Sequence, residues 1–155
     1  MKNLEYFRAL ITKGEAPAAG DSRITYPPPI ARTLGMQLVD VGEATSTVEM
    51  VTRPEAHANP MGTIHGGVLV DLADLAIGTA HWTTLEEGES FTTVDLQINF
   101  FRPIWEEKIR AVVKPVNRGR TFSRYVCDVL KADGKLIAQV TSTVTTLRGD
   151  GAKGR

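Results

Sequence analysis

A single cysteine, Cys127, stands in this sequence, which excludes an internal disulfide framework and any cysteine-based metal cluster. Its place inside a strand-like run reads as a small buried side chain. The three histidines, His57, His65 and His81, follow no His-x-x-x-His or Glu-x-x-His spacing, so no metal site is expected. Net charge is lacking too. Eighteen basic and eighteen acidic residues sum to zero, which removes any global electrostatic case for nucleic acid or an acidic membrane surface as partner. No apolar run reaches membrane-spanning length, and the opening residues Met1 to Arg8 lack the apolar core of a signal peptide. A cytoplasmic location with no membrane partner is the expectation. The last absence is local: no Lys or Arg occurs between Arg53 and Arg102, so a carboxylate in that stretch has no basic neighbour along the chain.

What is present fits one ordinary domain. The chain has 155 residues, 42% of them hydrophobic and 23% charged, enough for a real core and short for two domains. Leu4, Phe7, Leu10 and Ile11 suit a short amphipathic helix over residues 3–12. Gly14 to Pro29 is rich in Gly, Ala and Pro, ends in Pro27-Pro28-Pro29, and reads as an extended lead-in. Residues 1–33 are therefore set apart from a main domain over 34–147, with a flexible, Gly- and charge-rich tail over 148–155. Inside the domain a helical turn is expected at Ile30 to Leu34, then strands at Gln37–Gly42 and Thr45–Thr52, then an irregular loop from Arg53 to Thr63.

The rest of the chain is strand-like. Thr92, Val94, Leu96, Ile98 and Phe100 alternate with Thr93, Asp95, Gln97 and Asn99, which predicts a strand with one apolar and one polar face, ended by Pro103. Three further strands are expected at Lys108–Val116, Thr121–Lys131 and Lys135–Leu147, the last two joined by the hairpin signal Asp133-Gly134. Connections this short leave no room for helical crossovers, so the strands run antiparallel. An α+β fold follows, in which an antiparallel sheet curls around one long helix.

That helix begins near Gly66-Gly67. Leu69, Leu72, Ala73, Ala76, Ile77 and Ala80 recur at helical spacing, while Val68, Val70, Leu75 and Thr79 fill most of the other faces. A helix apolar nearly all round is expected to be buried at the centre of its fold. Asp71 and Asp74 are then anomalous, because a carboxylate in an apolar setting is costly unless something stabilises its charge. Asp71 reads equally as a residue facing solvent or a neighbouring chain, and Asp74 as either exposed or catalytic. At the helix start, free N–H groups and the positive end of the macrodipole suit an anion or a polarised carbonyl oxygen, and two glycines permit close approach. His65 is either a structural hydrogen-bonder or a proton carrier. With Asn59 in the preceding loop, this stretch carries an amide, an imidazole, backbone donors and a carboxylate, the parts a thioester hydrolysis needs.

The pattern Asn59-x5-His65-Gly66-Gly67-x6-Asp74, followed by Thr93-Val94-Asp95-Leu96 and by Gly134-Lys135-Leu136-Ile137-Ala138-Gln139, resembles the hotdog-fold acyl-CoA thioesterases. Within them it is similar to the PaaI-like (phenylacetyl-CoA) and 4-hydroxybenzoyl-CoA thioesterase group, over roughly residues 34–147. The resemblance implies a hotdog fold, an acyl-CoA substrate, no cofactor or metal, and a site between the chains of a homodimer, itself paired into a homotetramer as a dimer of dimers. It implies that Asp74 is the catalytic nucleophile or general base and that the Gly67 amide polarises the thioester carbonyl. Gly66 would permit close approach, His65 would shape the site, and Asn59 would hold water or thioester. Thr93 would orient the water from the partner subunit, with Thr92 as its rival, since alternation places Thr93 on the polar face. Arg102, Arg118 and Arg120 are the candidates for holding the coenzyme A phosphates. Two other functions stay open: a hotdog dehydratase or hydratase, whose His-x-Asp type motif is missing, and a non-catalytic acyl-CoA-binding sensor, whose usual DNA-binding domain does not fit the first thirty-odd residues.

Overall fold

The structure, a computed structural model, describes residues 2–14 and 25–154. The lead-in expected over Gly14–Pro29 falls in part on residues 15–24, outside the described residues. Four helices and six strands follow in the order α1 (Asn3–Lys13), α2 (Pro29–Leu34), β1 (Gln37–Gly42), β2 (Thr45–Val51), α3 (Pro54–His57), α4 (Gly66–Trp82), β3 (Ser90–Phe100), β4 (Lys108–Arg118), β5 (Phe122–Lys131) and β6 (Leu136–Leu147). The strands form one antiparallel sheet in the order β1-β2-β4-β5-β6-β3, and α4 touches all six of them. This is the expected α+β layout of an antiparallel sheet curled on a long helix.

Local chemistry explains the element ends. Gly14 takes a left-handed φ of 72° and returns its N–H to Leu10 O, ending α1 one residue beyond the expected Thr12. Phe7 and Tyr6 on α1 are buried and pack into the main core, with Leu4, Leu10 and Ile11 against it. The β5–β6 hairpin turns at Gly134, where φ is +87°, and the Lys135 N–H donates to Asp133 Oδ1 at 3.0 Å. Within the loop expected to be irregular, Pro54 opens the single turn α3, since its fixed φ suits a first helical position.

Two expectations need correcting. First, α4 is buried on one face only. Leu69, Leu72, Ala73, Ala76, Ile77 and Ala80 are fully covered by the sheet, whereas Asp71 and Asp74 are exposed and Val70, Leu75, Gly78 and Trp82 only half-buried. The second apolar stripe, which made the helix look central, faces outward in the single chain. Second, β3 does not keep one phase. The pairing with β6 runs Thr93↔Val144 and then Asp95↔Thr143, leaving Val94 in a bulge and 56% exposed. One extra residue reverses which side faces the helix. Before the bulge the odd residues Phe91 and Thr93 face α4; beyond it Leu96, Ile98 and Phe100 do. Past β6 the chain makes further contacts. Arg148 Nε lies 2.6 Å from Glu89 Oε1 and its Nη1 donates to Arg120 O at 2.7 Å, after which a 3-10 turn (Gly149–Ala152) buries Ala152.

Candidate active site

His65 caps α4. Its backbone is extended while its Nδ1 accepts a hydrogen bond from the Gly67 N–H at 3.0 Å, as an N-cap side chain does for one of the otherwise unpaired first-turn donors. The Val68 N–H goes to His65 O at 3.0 Å. The Gly67 amide, expected to polarise a carbonyl, is thus engaged by the histidine beside it. Among the described residues the Gly66 N–H makes no hydrogen bond, so it is the open donor at the helix start. A Cβ at Gly66 would come within 2.7 Å of the Phe100 ring, so any larger residue there has to push that exposed ring aside.

Asn59 is also occupied. Its Nδ2 donates to Thr63 Oγ1 at 2.7 Å and its Oδ1 accepts from the Met61 N–H at 3.0 Å, closing a turn whose backbone bond runs from Asn59 N to Thr63 O. The turn sets Asn59 on the wall of a cavity of about 420 Å³, shared with Gly66, Leu69, Phe100, Arg102 and Ile104. Arg102 reaches this rim while its Nη1 donates to Leu136 O at 2.9 Å.

Asp74 lines a second cavity, of about 240 Å³. The Thr93 hydroxyl donates to Asp74 Oδ1 at 3.3 Å, within one chain, because the bulge at Val94 turns Thr93 onto the helix side. Thr93 and Asp74 thus belong to the same half of the site. Desolvation raises the Asp74 pKa above the ordinary carboxylate value, the Thr93 hydrogen bond opposes this, and the Asp71 carboxylate one turn away adds to the rise. The residue stays open to solvent at its edge. No salt bridge neutralises Asp74 among the described residues.

The expected constellation is therefore divided. Asp74 lies eight residues beyond Gly66, about 12 Å along the helix axis, and the two cavities share no lining residue. The basic candidates are divided as well. Arg102 sits at the sheet end that holds Leu136, which pairs with Leu130 opposite Arg110, whereas Arg118 pairs with Ser123 at the other end. From Arg110 to Arg118 is eight strand residues, about 26 Å. Arg118 is held by Glu43 at 2.8 Å, and Arg120 is exposed with its carbonyl taken by Arg148. In one chain Arg102 and the Arg118–Arg120 turn cannot hold the same phosphate.

Sequence reasoning passed over Tyr26. It walls the Asp74 cavity, and its hydroxyl lies 3.2 Å from Thr79 Oγ1. The only signal available was an aromatic residue directly before the proline run. It also passed over the buried pair formed by His81 Nδ1 and the Tyr125 hydroxyl, 2.9 Å apart. Burial, then the nearby Arg118 charge, lowers the His81 pKa to about 4 against the opposing pull of Glu89. Cys127 is buried and burial pushes its thiol up to about 12, so it is inert as a nucleophile. Among the described residues no cluster of His, Cys, Asp and Glu could hold a metal, and no helix is long and apolar enough to cross a membrane.

Comparison with known proteins gives the same outline. Residues 61–138 match the family model described as Thioesterase superfamily. Human acyl-coenzyme A thioesterase 13 is 34% identical over 111 residues, which are 70% of this chain and 78% of that one. A Haemophilus influenzae thioesterase structure superimposes with a TM-score of 0.73 at 27% identity, over 79% of this chain and 85% of that one. A phenylacetic acid degradation-related protein from Ralstonia eutropha gives 0.74 at 30% identity, over 90% and 98%. The fold is the hotdog fold of these neighbours.

Proposed function

The chain belongs to the thioesterase superfamily and is a thioester hydrolase; on that premise we propose that it hydrolyses acyl-CoA thioesters at a site assembled from two copies, the Asp74 cavity of one facing the helix start of the other. The observation that carries this reading is the separation within one chain. A reacting carbonyl must lie within about 3–3.5 Å of its attacking atom, yet Asp74 and its own open helix start are about 12 Å apart. Two α4 helices set side by side in opposite directions would bring each Asp74 to the other's Gly66 and cover the outward stripe of Val70, Leu75 and Trp82. The edge strand β3, whose far side has no partner strand in the chain, supplies an edge that needs covering. A homodimer follows, and its further pairing into a tetramer is consistent with the family resemblance.

In this arrangement Asp74 acts as general base. Thr93 occupies Oδ1, leaving Oδ2 to take a proton from water. The water oxygen attacks the thioester carbon, the open Gly66 N–H of the other copy stabilises the oxygen that gains charge, and the carbon–sulfur bond breaks. The departing thiolate takes a proton to become free coenzyme A. A carboxylate with a raised pKa is the stronger base near neutral pH. Arg102, beside the same helix start, is placed to meet the coenzyme A phosphates, with the Arg118–Arg120 turn of the opposite chain as the second basic contact. The chemistry calls on no metal or cofactor.

The test is hydrolysis of phenylacetyl-, hydroxybenzoyl- and straight-chain acyl-CoAs, followed by free thiol release. Asp74→Asn is expected to lower kcat by at least about a hundredfold, the scale of general-base catalysis, with the fold intact. Mixed dimers of Asp74→Asn with Gly66→Val are expected to recover activity, since one site in each then has both working halves. Full turnover in Asp74→Asn removes Asp74 from the mechanism, and no recovery in mixed dimers removes the two-chain site.

A further inference from the structure

The Asp74 cavity is closed by a part of the chain that lies outside the family match at residues 61–138. One side of its lining is α4: Asp74, then Gly78 one turn on, then Trp82 a turn beyond, all on one helical face over about 12 Å. Gly78 is the bare floor. A Cβ there would stand 3.3 Å from the Phe91 ring, so Phe91 from β3 forms the second wall, its ring 5.5 Å from that of Trp82. The third wall is Tyr26, from the lead-in.

Tyr26 is fixed from two sides. Its ring meets Phe7 edge-to-face at 5.1 Å, and Phe7 on α1 is wholly buried. Its hydroxyl is tied to α4: the Thr79 hydroxyl donates to Leu75 O at 2.8 Å, so across the 3.2 Å separation the Tyr26 O–H donates to Thr79 Oγ1. Burial raises the Tyr26 pKa to about 12, and it stays a neutral donor at working pH. A rigid aromatic wall with a satisfied hydroxyl thus lines, together with Phe91, the cavity that holds the general base.

We infer that Tyr26 is a specificity-determining residue of this thioesterase, closing the acyl end of the Asp74 cavity and limiting the acyl group to a compact one. The inference rests on the reading of Asp74 given above. At roughly 30 Å³ for each water-sized group, the 240 Å³ cavity accepts about eight non-hydrogen atoms, a short straight chain or one aromatic ring. Longer chains would meet the Tyr26 and Trp82 rings.

The experiment is kcat/KM across straight-chain acyl-CoAs of four to fourteen carbons, for the full-length protein and for Tyr26→Ala, Tyr26→Phe and Gly78→Ala, each checked for native secondary structure and oligomeric state. In the wild type kcat/KM is expected to fall beyond about eight carbons. Tyr26→Ala is expected to raise the ratio of twelve-carbon to six-carbon kcat/KM by tenfold or more, the scale set by one or more methylenes in an apolar pocket. Tyr26→Phe, which keeps the ring, should hold the wild-type profile. Gly78→Ala, which fills the floor instead, should move the optimum to shorter chains, and it carries the test if Tyr26→Ala does not fold. A profile unmoved in both directions, with turnover still abolished in Asp74→Asn, overturns this inference alone. No turnover of any thioester by the wild type, or turnover indifferent to Asp74, overturns the proposed site and this inference together.

Discussion

His81 makes the stability of this protein depend on pH in a way that can be worked out beforehand. The imidazole is 1% exposed, 2.9 Å from the Tyr125 hydroxyl through Nδ1 and 3.1 Å from Thr146 Oγ1 through Nε2. Burial and the Arg118 charge hold its pKa at about 4, against 6.5 for an ordinary histidine. Between those values the unfolded chain binds a proton that the folded one refuses. Stability therefore falls as pH drops through 6.5 and stops falling below about 4. From pH 7.5 to pH 5.0 the cost from this one residue is about 2 kcal/mol, and its limit at lower pH is about 3 kcal/mol. Glu89 pulls the other way, and the value of about 4 already includes its effect.

The assay is urea unfolding of the wild type and of His81→Gln at pH 7.5 and 5.0, at one fixed protomer concentration, because an oligomer's apparent stability depends on concentration. Other groups titrate over the same range. His57 has a lowered pKa and acts with the same sign as His81, whereas the raised pKa of Asp74 acts with the opposite sign. Both are common to the two proteins and cancel in the difference of differences. His81→Gln is expected to be less stable at pH 7.5 but to lose about 2 kcal/mol less on acidification. An equal loss in both proteins would show that His81 is already protonated in the folded state, and the description of it as a neutral buried link would be wrong.

Two further substitutions separate the site from the scaffold. Thr93→Val removes the hydrogen bond that lowers the Asp74 pKa, so the acid limb of the kcat–pH profile is expected to move to higher pH with little change in unfolding midpoint; an unmoved limb would show that Thr93 does not act on the catalytic carboxylate. Gly134→Ala places a side chain at φ +87° where nothing lies within 4 Å. It should cost about 1 kcal/mol by conformation alone, lowering Tm by about 2–4 °C and leaving thioester turnover as it was.

What could be read from the sequence was what depends on near neighbours along the chain. Element order, the Gly134 turn, the α4 start at Gly66 and the anomaly of Asp74 all rest on spacing or on residue chemistry within a few positions. The family match and the structural neighbours bear out the hotdog fold and thioester hydrolysis. What stayed hidden needed geometry between distant segments. Nothing in Thr92-Thr93-Val94-Asp95 marks a bulge, since Thr92, Thr93 and Val94 suit a strand and Asp95 is taken up by its polar face, yet the one extra residue decides whether Thr93 meets Asp74 or solvent. Likewise His65 could not be seen taking the Gly67 amide, because capping depends on the extended turn that precedes the helix.

The outward stripe of α4 carries the same argument a step further. A sequence reports that a face is apolar, but not whether its own sheet or a second chain will cover it. Here the two apolar stripes have separate fates: Leu69, Leu72, Ala76 and Ile77 meet the sheet, while Val70 stays half-buried and Leu75 and Trp82, also half-buried, line the Asp74 cavity. A helix buried wholly by its own sheet would have no reason to keep two aspartates that no salt bridge among the described residues neutralises. In the proposed dimer Asp71 and Asp74 lie on the side left for a substrate and a second copy. On this reading their placement separates the catalytic stripe from the core stripe, and the 12 Å between Asp74 and Gly66 becomes the reason that one chain alone does not complete the site.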